Sequence, residues 1–154
     1  MRIRKFRASD SAAVARLHRD TIRNINSKDY PPEQVAVWAK RSTARRMKKS
    51  LKDRQRYVAI EKNRIVGFGD YKKDGEMSGL YIHKDYIGKG AGSKLLNKME
   101  TEAAKRGIRE FHTLSTITAR NFYEKHGYHV VEKSKHRIKN QELTVYKMRK
   151  TLKT

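Results

Sequence analysis

Apolar residues along this chain follow a helical period in some segments and alternate with polar residues in others. Recurrence every three or four residues predicts helices, and alternation predicts half-buried strands. In the first third of the chain the pattern predicts a strand over residues 2–7, a helix over 10–26 and a helix after the Pro31–Pro32 break, which a basic helix over about 42–53 continues. In the middle it predicts strands over 57–60 and 65–71, joined by a hairpin at 62–64, and a strand over about 76–83. The rest is predicted to contain a helix from Ser93 to near Gly107, a strand over 108–114, a short helix over 118–126 and two last strands that begin at Tyr128 and Leu143. Seven strands and about four helices in this order predict a mixed α/β domain over residues 1–154, without the strict alternation of a doubly wound fold.

The composition is that of a folded chain without thiol chemistry. Its 154 residues are enough for one hydrophobic core, and 36% of them are hydrophobic. Cysteine is absent, which excludes disulfides, thiolate nucleophiles and zinc–thiolate sites, and we predict no metal site. The sequence has no run near the roughly 18 apolar residues of a membrane span, and its N-terminus lacks a secretory apolar segment. We therefore expect a cytoplasmic protein with no membrane partner.

The formal net charge of +22 is large for a chain of this size. Its densest part is residues 40–56, KRSTARRMKKSLKDRQR, with nine basic residues and one acid. One interpretation is a solvated helix face in a host whose proteins are generally basic. The other is contact with nucleic acid, the ribosome or an acidic protein surface, because Lys and Arg neutralise phosphates and release counterions. The sequence leaves both open.

Three alternate glycines, Gly88, Gly90 and Gly92, separate the strand-like run 79–83 from a helix-like run that begins at Ser93. A glycine-rich turn before a helix presents unpaired N–H donors and the positive end of the helix dipole, and this favours an anion. The loop is not a Walker A loop, because no GxxxxGK[ST] string occurs, and Ser93 departs from the Rossmann fingerprint GxGxxG. A plain tight turn is the alternative interpretation.

The loop and a second segment together resemble the GNAT superfamily of N-acetyltransferases. Residues 80–96 read LYIHKDYIGKGAGSKLL, which is similar to the family's acetyl-CoA loop, commonly LYVHPDYQGKGIGSxLL. Residues 119–128 read ARNFYEKHGY, which is similar to the second family signature, AxxFYxKxGF. The resemblance implies a mostly antiparallel central sheet, acetyl-CoA as cosubstrate without a metal, and transfer of its acetyl group to a primary amine by direct attack in a ternary complex.

The resemblance also assigns cofactor contacts to the end of the fourth predicted strand, to the glycine loop and to two later positions: Leu80, Tyr81, Ile82, Ile87, Gly88, Lys89, Gly90, Ala91, Gly92, Ser93, Thr116 and Phe122. In the family a main-chain N–H of the fourth strand binds the thioester carbonyl oxygen, which gains negative charge during the reaction. Four side chains depart from the pattern. Lys84 replaces the common proline, and Ser78 stands at a fourth-strand position that is often acidic. Ile87 stands where Gln or Arg is usual, and Thr116 stands where Asn often contacts the cofactor.

The implied reaction needs a base and an acid. An alkyl amine of pKa about 10.4 is neutral in only about one molecule in a few thousand at pH 7, so a base must take its proton. Glu76 is the first candidate base, with Ser78 two residues on as a hydroxyl that holds a water; His112 is the second candidate. Glu76 and His112 also have structural interpretations, as an exposed turn residue and a packed histidine. Tyr123 matches the family's general acid, which protonates the leaving thiolate.

The acceptor is the least determined part of the prediction. Tyr30, Trp38, Tyr71 and His112 are candidate residues for the walls of its site, and each also has an ordinary packing interpretation. The net charge favours acidic over polycationic partners, and the sequence leaves both a small molecule and a protein open as the source of the amine. The family's last strand often meets a neighbouring subunit, so a homodimer is a further expectation. The alternative function is a GNAT-like module that binds acetyl-CoA or nucleic acid without efficient catalysis.

Overall fold

The computed structural model describes residues 1–153, which form one seven-stranded sheet with helices on both faces. The strands are β1 Arg2–Lys5, β2 Arg54–Glu61, β3 Arg64–Lys72, β4 Glu76–Ile82, β5 Glu110–Thr116, β6 His129–Ile138 and β7 Gln141–Thr151. The helices are α1 Ser11–Asn24, α2 Pro32–Lys40, α3 Ala44–Ser50, α4 Ala91–Lys105 and α5 Arg120–Lys125. The helices in residues 1–153 lack the length and apolar character that crossing a membrane requires.

The predicted fold class is confirmed, with one helix more than expected. The sheet order is β1-β2-β3-β4-β5-β7-β6, and every neighbouring pair is antiparallel except β4 and β5. The extra helix arises because the basic segment does not continue α2. Thr43 has extended backbone angles, and its hydroxyl accepts a hydrogen bond from the Arg46 N–H, so it caps a separate helix α3.

The parallel pair β4 and β5 is very short. Its ladder joins Glu76 to His112 and Met77 to Thr113, and no ladder pair of the described residues joins the two strands beyond these. The pairing of β3 with β4 passes from Gly79 to Met77 and leaves Ser78 as an extra residue. Such a bulge increases strand twist and bends the strand. The two strands therefore separate, and we call the space beyond Met77 and Thr113 the β4–β5 gap.

Apolar side chains fill both faces of the sheet. On one face α4 packs Leu95, Leu96 and Met99, all fully buried, against the central strands. On the other face α1 and α3 pack Val14, Leu17 and Met47 against β2 and β3. A third cluster joins α1 and α2 to the β6–β7 hairpin through seven buried residues: Ile22, Tyr30, Val35, Trp38, Ala39, Ile138 and Leu143. These packed faces hold the β4–β5 gap and the glycine loop in place.

Tyr30 links three parts of the chain. Its side chain is buried, and its hydroxyl donates to the Thr144 carbonyl at 2.6 Å and accepts from the Ile117 N–H at 2.9 Å. Both hydrogen-bonding roles of the hydroxyl are therefore used inside the protein. The expectation that Tyr30 contacts the acceptor gives way to a structural role, which fastens the segment before α2 to β7 and to the end of β5.

Replacing Tyr30 by Phe should lower the free energy of unfolding by about 1–3 kcal/mol, because it leaves a partly buried N–H and C=O without a partner. Urea unfolding followed by circular dichroism measures the change. Tyr146→Phe is the matched control, since the Tyr146 hydroxyl has no hydrogen bond to residues 1–153. Equal stabilities of the two variants would contradict the structural role.

Candidate active site

The glycine loop has a backbone that side chains rarely adopt. Gly90 precedes α4 with φ 89° and ψ 0°, and Gly88 has φ 79°, both in the left-handed region. A methyl group placed on either residue would meet no protein atom within 4 Å. Glycine is required here by the backbone angles, and the space above the loop is open to a ligand. The first hydrogen bond of helix α4 runs from the Lys94 N–H to the Gly90 carbonyl. The N–H groups that precede Lys94 in the helix are therefore free to bind an anion.

Side chains around the loop contribute unequally. Ile87 is 48% exposed, so an apolar side chain faces solvent where the family usually has a donor. The Lys89 ammonium lies 5.4 Å from the Tyr86 ring centre, which leaves a positive charge beside the loop. The Ser93 hydroxyl lies 2.9 Å from His126 Nε2. The cationic and main-chain groups of the loop suit a diphosphate, while the Ser93 side chain is directed to a protein partner.

The contact of Ser93 with His126 ties α4 to α5. His126 Nδ1 lies 2.8 Å from the Phe122 carbonyl oxygen, which only accepts, so Nδ1 carries the proton. In the neutral ring Nε2 then accepts from the Ser93 hydroxyl. The His126 ring also packs on Phe122 at 4.4 Å between centres. A ligand at the loop therefore meets Ser93 through its main-chain N–H, and Phe122 is held beside the same helix end.

The β4–β5 gap leaves main-chain groups of β4 without a strand partner. Leu80, Tyr81 and Ile82 have β3 as their strand partner along one edge, and their other edge faces the gap, where the Ile82 carbonyl accepts from the Thr21 hydroxyl at 3.2 Å. Thr116, at the end of β5, accepts a hydrogen bond from the Ala119 N–H through its hydroxyl and so shapes the turn into α5. An extended ligand with amide groups fits such an edge, because it can pair with the exposed backbone as a strand would.

Tyr123 lies at the base of the gap. Its side chain is only 3% exposed, and burial raises the pKa of its phenol, with a further rise from the charge of Asp70. A hydrogen bond with the Thr113 hydroxyl acts in the opposite direction and lowers the pKa of Tyr123. The Thr113 hydroxyl itself donates to the Met77 carbonyl at 2.8 Å, at the last pair of the parallel ladder. Burial and neighbouring charges likewise raise the pKa of Tyr81. Two phenols with raised pKa values therefore lie in the region where β4 and β5 separate.

Asp70 is a residue of this region that the sequence analysis missed. It is buried on β3, and its Oδ2 accepts from Arg56 Nε at 2.9 Å. Its Oδ1 has no hydrogen-bond partner among residues 1–153, and Arg54 Nη1 lies 3.9 Å from this oxygen. The signal was present in the sequence, since Asp70 is the one acid within the apolar strand pattern 65–71. The Asp70 carboxylate therefore keeps one buried oxygen that no described residue hydrogen-bonds.

A large cleft, which we call the main cleft, opens beside Asp70. It lies between α1–α3 on one side and β3–β5 with the β6–β7 hairpin on the other, and its lining includes His18, Trp38, Asp70, Glu76, Ser78, Tyr81, Leu114 and Thr116. Glu76 is at the rim, 3.2 Å from Lys72 Nζ, and Ser78 is exposed. Among the predicted acceptor residues, Trp38 lines this cleft.

Two other predicted wall residues do not line the main cleft. Tyr71 is 1% exposed and packs on Phe111, 5.2 Å between ring centres, in the core under α4. It follows Asp70 directly, and successive strand residues point to opposite faces. His112 pairs with Glu76 in the parallel ladder and lies outside the lining. Tyr71 is therefore a core residue, and neither side chain forms a wall of this cleft.

His18 lines the main cleft without any charge. Its Nδ1 lies 2.8 Å from the Ser42 hydroxyl, and its Nε2 has no partner among the described residues. The ring packs edge-on against Tyr81, 4.3 Å between centres. Burial lowers the pKa of His18 to about 3, and the charges of Arg56 and Arg19 contribute. The ring is therefore neutral at physiological pH and is a weak base.

Comparisons with known proteins agree with this geometry. The family described as the acetyltransferase (GNAT) domain matches residues 26–152. The Escherichia coli (strain K12) protein named uncharacterized N-acetyltransferase YafP is 24% identical over 149 residues, which cover 97% of this chain and 95% of that protein.

Solved structures show the same fold. The crystal structure of a GCN5-related N-acetyltransferase from Rhodopseudomonas palustris aligns with a TM-score of 0.94 at 26% identity, over 98% of this chain and 95% of that one. The PaiA N-acetyltransferase of Thermoplasma acidophilum, solved in complex with coenzyme A, aligns with a TM-score of 0.82 at 21% identity, over 97% and 98% of the two chains. The glycine loop, the β4–β5 gap and the family match over most of the length lead to one conclusion: the chain belongs to the GNAT family of acetyltransferases.

Proposed function

We propose that this protein transfers the acetyl group of acetyl-CoA to a primary amine by direct attack, with both substrates bound at once. One observation carries the proposal: the glycine loop at the start of α4 lies next to the β4–β5 gap, and a buried phenol, Tyr123, lies at the base of that gap. The coenzyme A bound by the Thermoplasma relative supports the choice of cosubstrate.

The residues present fit a coenzyme A thioester. The open space above Gly88 and Gly90 and the free N–H groups that follow suit the diphosphate, and Lys89 adds a positive charge. The unpaired edge of β4 at residues 80–82 suits the amide groups of the pantetheine arm. When bound, acetyl-CoA supplies an acetyl group activated as a thioester. A main-chain N–H of this edge then stabilises the charge that develops on the carbonyl oxygen.

Asp70 is the group best suited to take the proton of the amine, directly or through a water. It is buried, its Oδ1 is free, and it lies close enough to Tyr123 and Tyr81 for its charge to raise their pKa values. Glu76 is the second candidate, at the rim and paired with Lys72, with Ser78 beside it to hold a water. His18, with a pKa of about 3, is too weak a base for an amine.

Tyr123 completes the proton balance. The acceptor nitrogen forms the new C–N bond, the C–S bond breaks, the nitrogen loses one proton and the thiolate gains one. A phenol whose pKa burial has raised stays protonated at neutral pH, and it is therefore able to donate to the thiolate. The buried surroundings also exclude water, which strengthens each hydrogen bond made there.

Tyr123→Phe should lower kcat at least about 100-fold and leave the affinity for acetyl-CoA nearly unchanged, because the phenol acts on the leaving group. Thiol release gives the rate and calorimetry the affinity. Because burial raises the pKa of Tyr123, the wild-type rate should not decline with pH below about pH 10, the ordinary pKa of tyrosine. Tyr146→Phe serves as control, and an unchanged rate in Tyr123→Phe would remove this residue from the mechanism.

Gly90→Glu should abolish acetyl-CoA binding, since it places a carboxylate among the donors that hold the diphosphate. Gly107→Glu is a matched control at the other end of α4: Gly107 has φ 84°, and a methyl group there also meets nothing within 4 Å. Both variants carry a similar backbone strain, about 1–2 kcal/mol, and the same added charge. Calorimetric titration with acetyl-CoA separates them. Equal affinities would refute the assignment of the loop, and binding without turnover of any amine would favour a non-catalytic module.

A further inference from the structure

The main cleft is strongly positive on the side formed by α3 and its flanking residues. Its lining contains eight Lys and Arg side chains and three carboxylates. Each carboxylate already has a basic partner: Asp53 and Asp70 contact Arg54, Asp70 also contacts Arg56, and Glu76 contacts Lys72. The other five cations form no ion pair and donate no side-chain hydrogen bond within residues 1–153: Arg41, Arg45, Arg46, Lys49 and Lys52. Five uncompensated charges therefore face one cleft.

The position of this charged wall is fixed by one buried guanidinium. Arg56 donates to Asp70 through Nε, to the Met47 carbonyl through Nη1 at 2.7 Å and to the Ser50 hydroxyl through Nη2 at 2.7 Å. It thereby joins the end of α3 to the strand that carries Asp70. Met47 packs inward against β2 and β3, so the basic side chains of α3 are directed outward, where they are exposed. The wall is built next to the proposed reaction centre.

This arrangement disfavours a cationic acceptor and favours an anionic one. A positive cleft repels an ammonium ion and stabilises the neutral amine, which is the nucleophile. The five cations gain most from a carboxylate or phosphate, which Arg binds with two parallel hydrogen bonds. On the opposite side Asp70 Oδ1 has no hydrogen-bond partner among the described residues. The cleft therefore has one place for an amine and another for an anion.

We propose that the acceptor is a primary amine that also carries a carboxylate or phosphate group, that Arg45, Arg46 and Lys49 bind this group, and that the amine lies beside Asp70. The proposal rests on the acetyl-transfer function proposed above and names its substrate class. A compact acceptor fits better than a nucleic acid, because the charges line a cleft closed by the sheet and are not spread over an open face.

The first test compares small amines that differ in charge: O-phosphorylethanolamine, β-alanine, ethanolamine and 1,3-diaminopropane. We expect kcat/KM for the two anionic amines to exceed that for ethanolamine at least tenfold, with the diamine lowest. The preference should shrink as ionic strength rises, since the cations are exposed. Equal rates, or a preference for the neutral or cationic amine, would overturn the proposal and leave acetyl transfer itself established.

The second test uses a matched pair of variants on the same helix turn. Lys49 lines the main cleft and Lys48 does not, although both are exposed in the last turn of α3. Lys49→Glu should lower the ratio of kcat/KM for O-phosphorylethanolamine to kcat/KM for ethanolamine about tenfold, because only the first substrate carries the group that Lys49 binds. Lys48→Glu should leave this ratio unchanged, because it alters the net charge equally but not the cleft. Equal losses in both variants would overturn the assignment to the cleft.

A third measurement needs no turnover. Citrate and inorganic phosphate titrated into the wild type should bind, and Lys49→Glu should weaken that binding about tenfold while Lys48→Glu preserves it. If no amine is acetylated and acetyl-CoA does not bind, the proposed function fails, and this titration still decides the anion site. Unaltered binding in Lys49→Glu would overturn it. A short RNA that binds tightly and loses affinity equally in both variants would assign the charge to a polyanion instead and would also overturn it.

Discussion

The separation of β4 from β5 is the constraint on which the site depends. The two strands share only two ladder positions, and a bulge at Ser78 turns β4 away while β5 remains paired along its length with β7. An unpaired strand edge inside a protein is unfavourable unless a ligand or water completes it. Here the edge borders the glycine loop, Tyr123 and the main cleft. One local irregularity thus leaves this edge without a second strand and separates the strands at the position that the proposed mechanism requires.

The buried ion pair of Arg56 and Asp70 organises the other half of the site. A buried charge is tolerated when it is paired and hydrogen-bonded, and each of the three Arg56 nitrogens donates one hydrogen bond, to β3 or to α3. The pair leaves Asp70 with one free oxygen and fixes α3 as a cleft wall. Part of the high net charge is concentrated in exposed side chains on one wall of the main cleft.

The parts of the fold that were predictable are those set by local chemistry. Strands were correctly predicted from the alternating runs 57–60 and 65–71, and the turn before α4 from the glycine loop. Periodicity and backbone requirements act over a few residues, so the local sequence is enough to predict them. Boundaries moved where a local signal was weak. The helix after the loop begins at Ala91 because Gly90 already forms its N-cap, and β6 extends to Ile138 although most of its residues are exposed.

The sequence alone determined the mixed α/β order, the position of the glycine loop and the resemblance of the segment around Tyr123 to the family's second signature, since short contiguous segments encode each of them. The tertiary structure alone decided which side chains share the cleft. Tyr71 and Asp70 are neighbours in sequence, yet Tyr71 packs under α4 and Asp70 faces the main cleft. The Tyr30 hydroxyl forms hydrogen bonds with Ile117 and Thr144, which follow it in the sequence by 87 and 114 positions. Strand faces, bulges and long-range partners arise only when distant segments pack, so no local pattern records them.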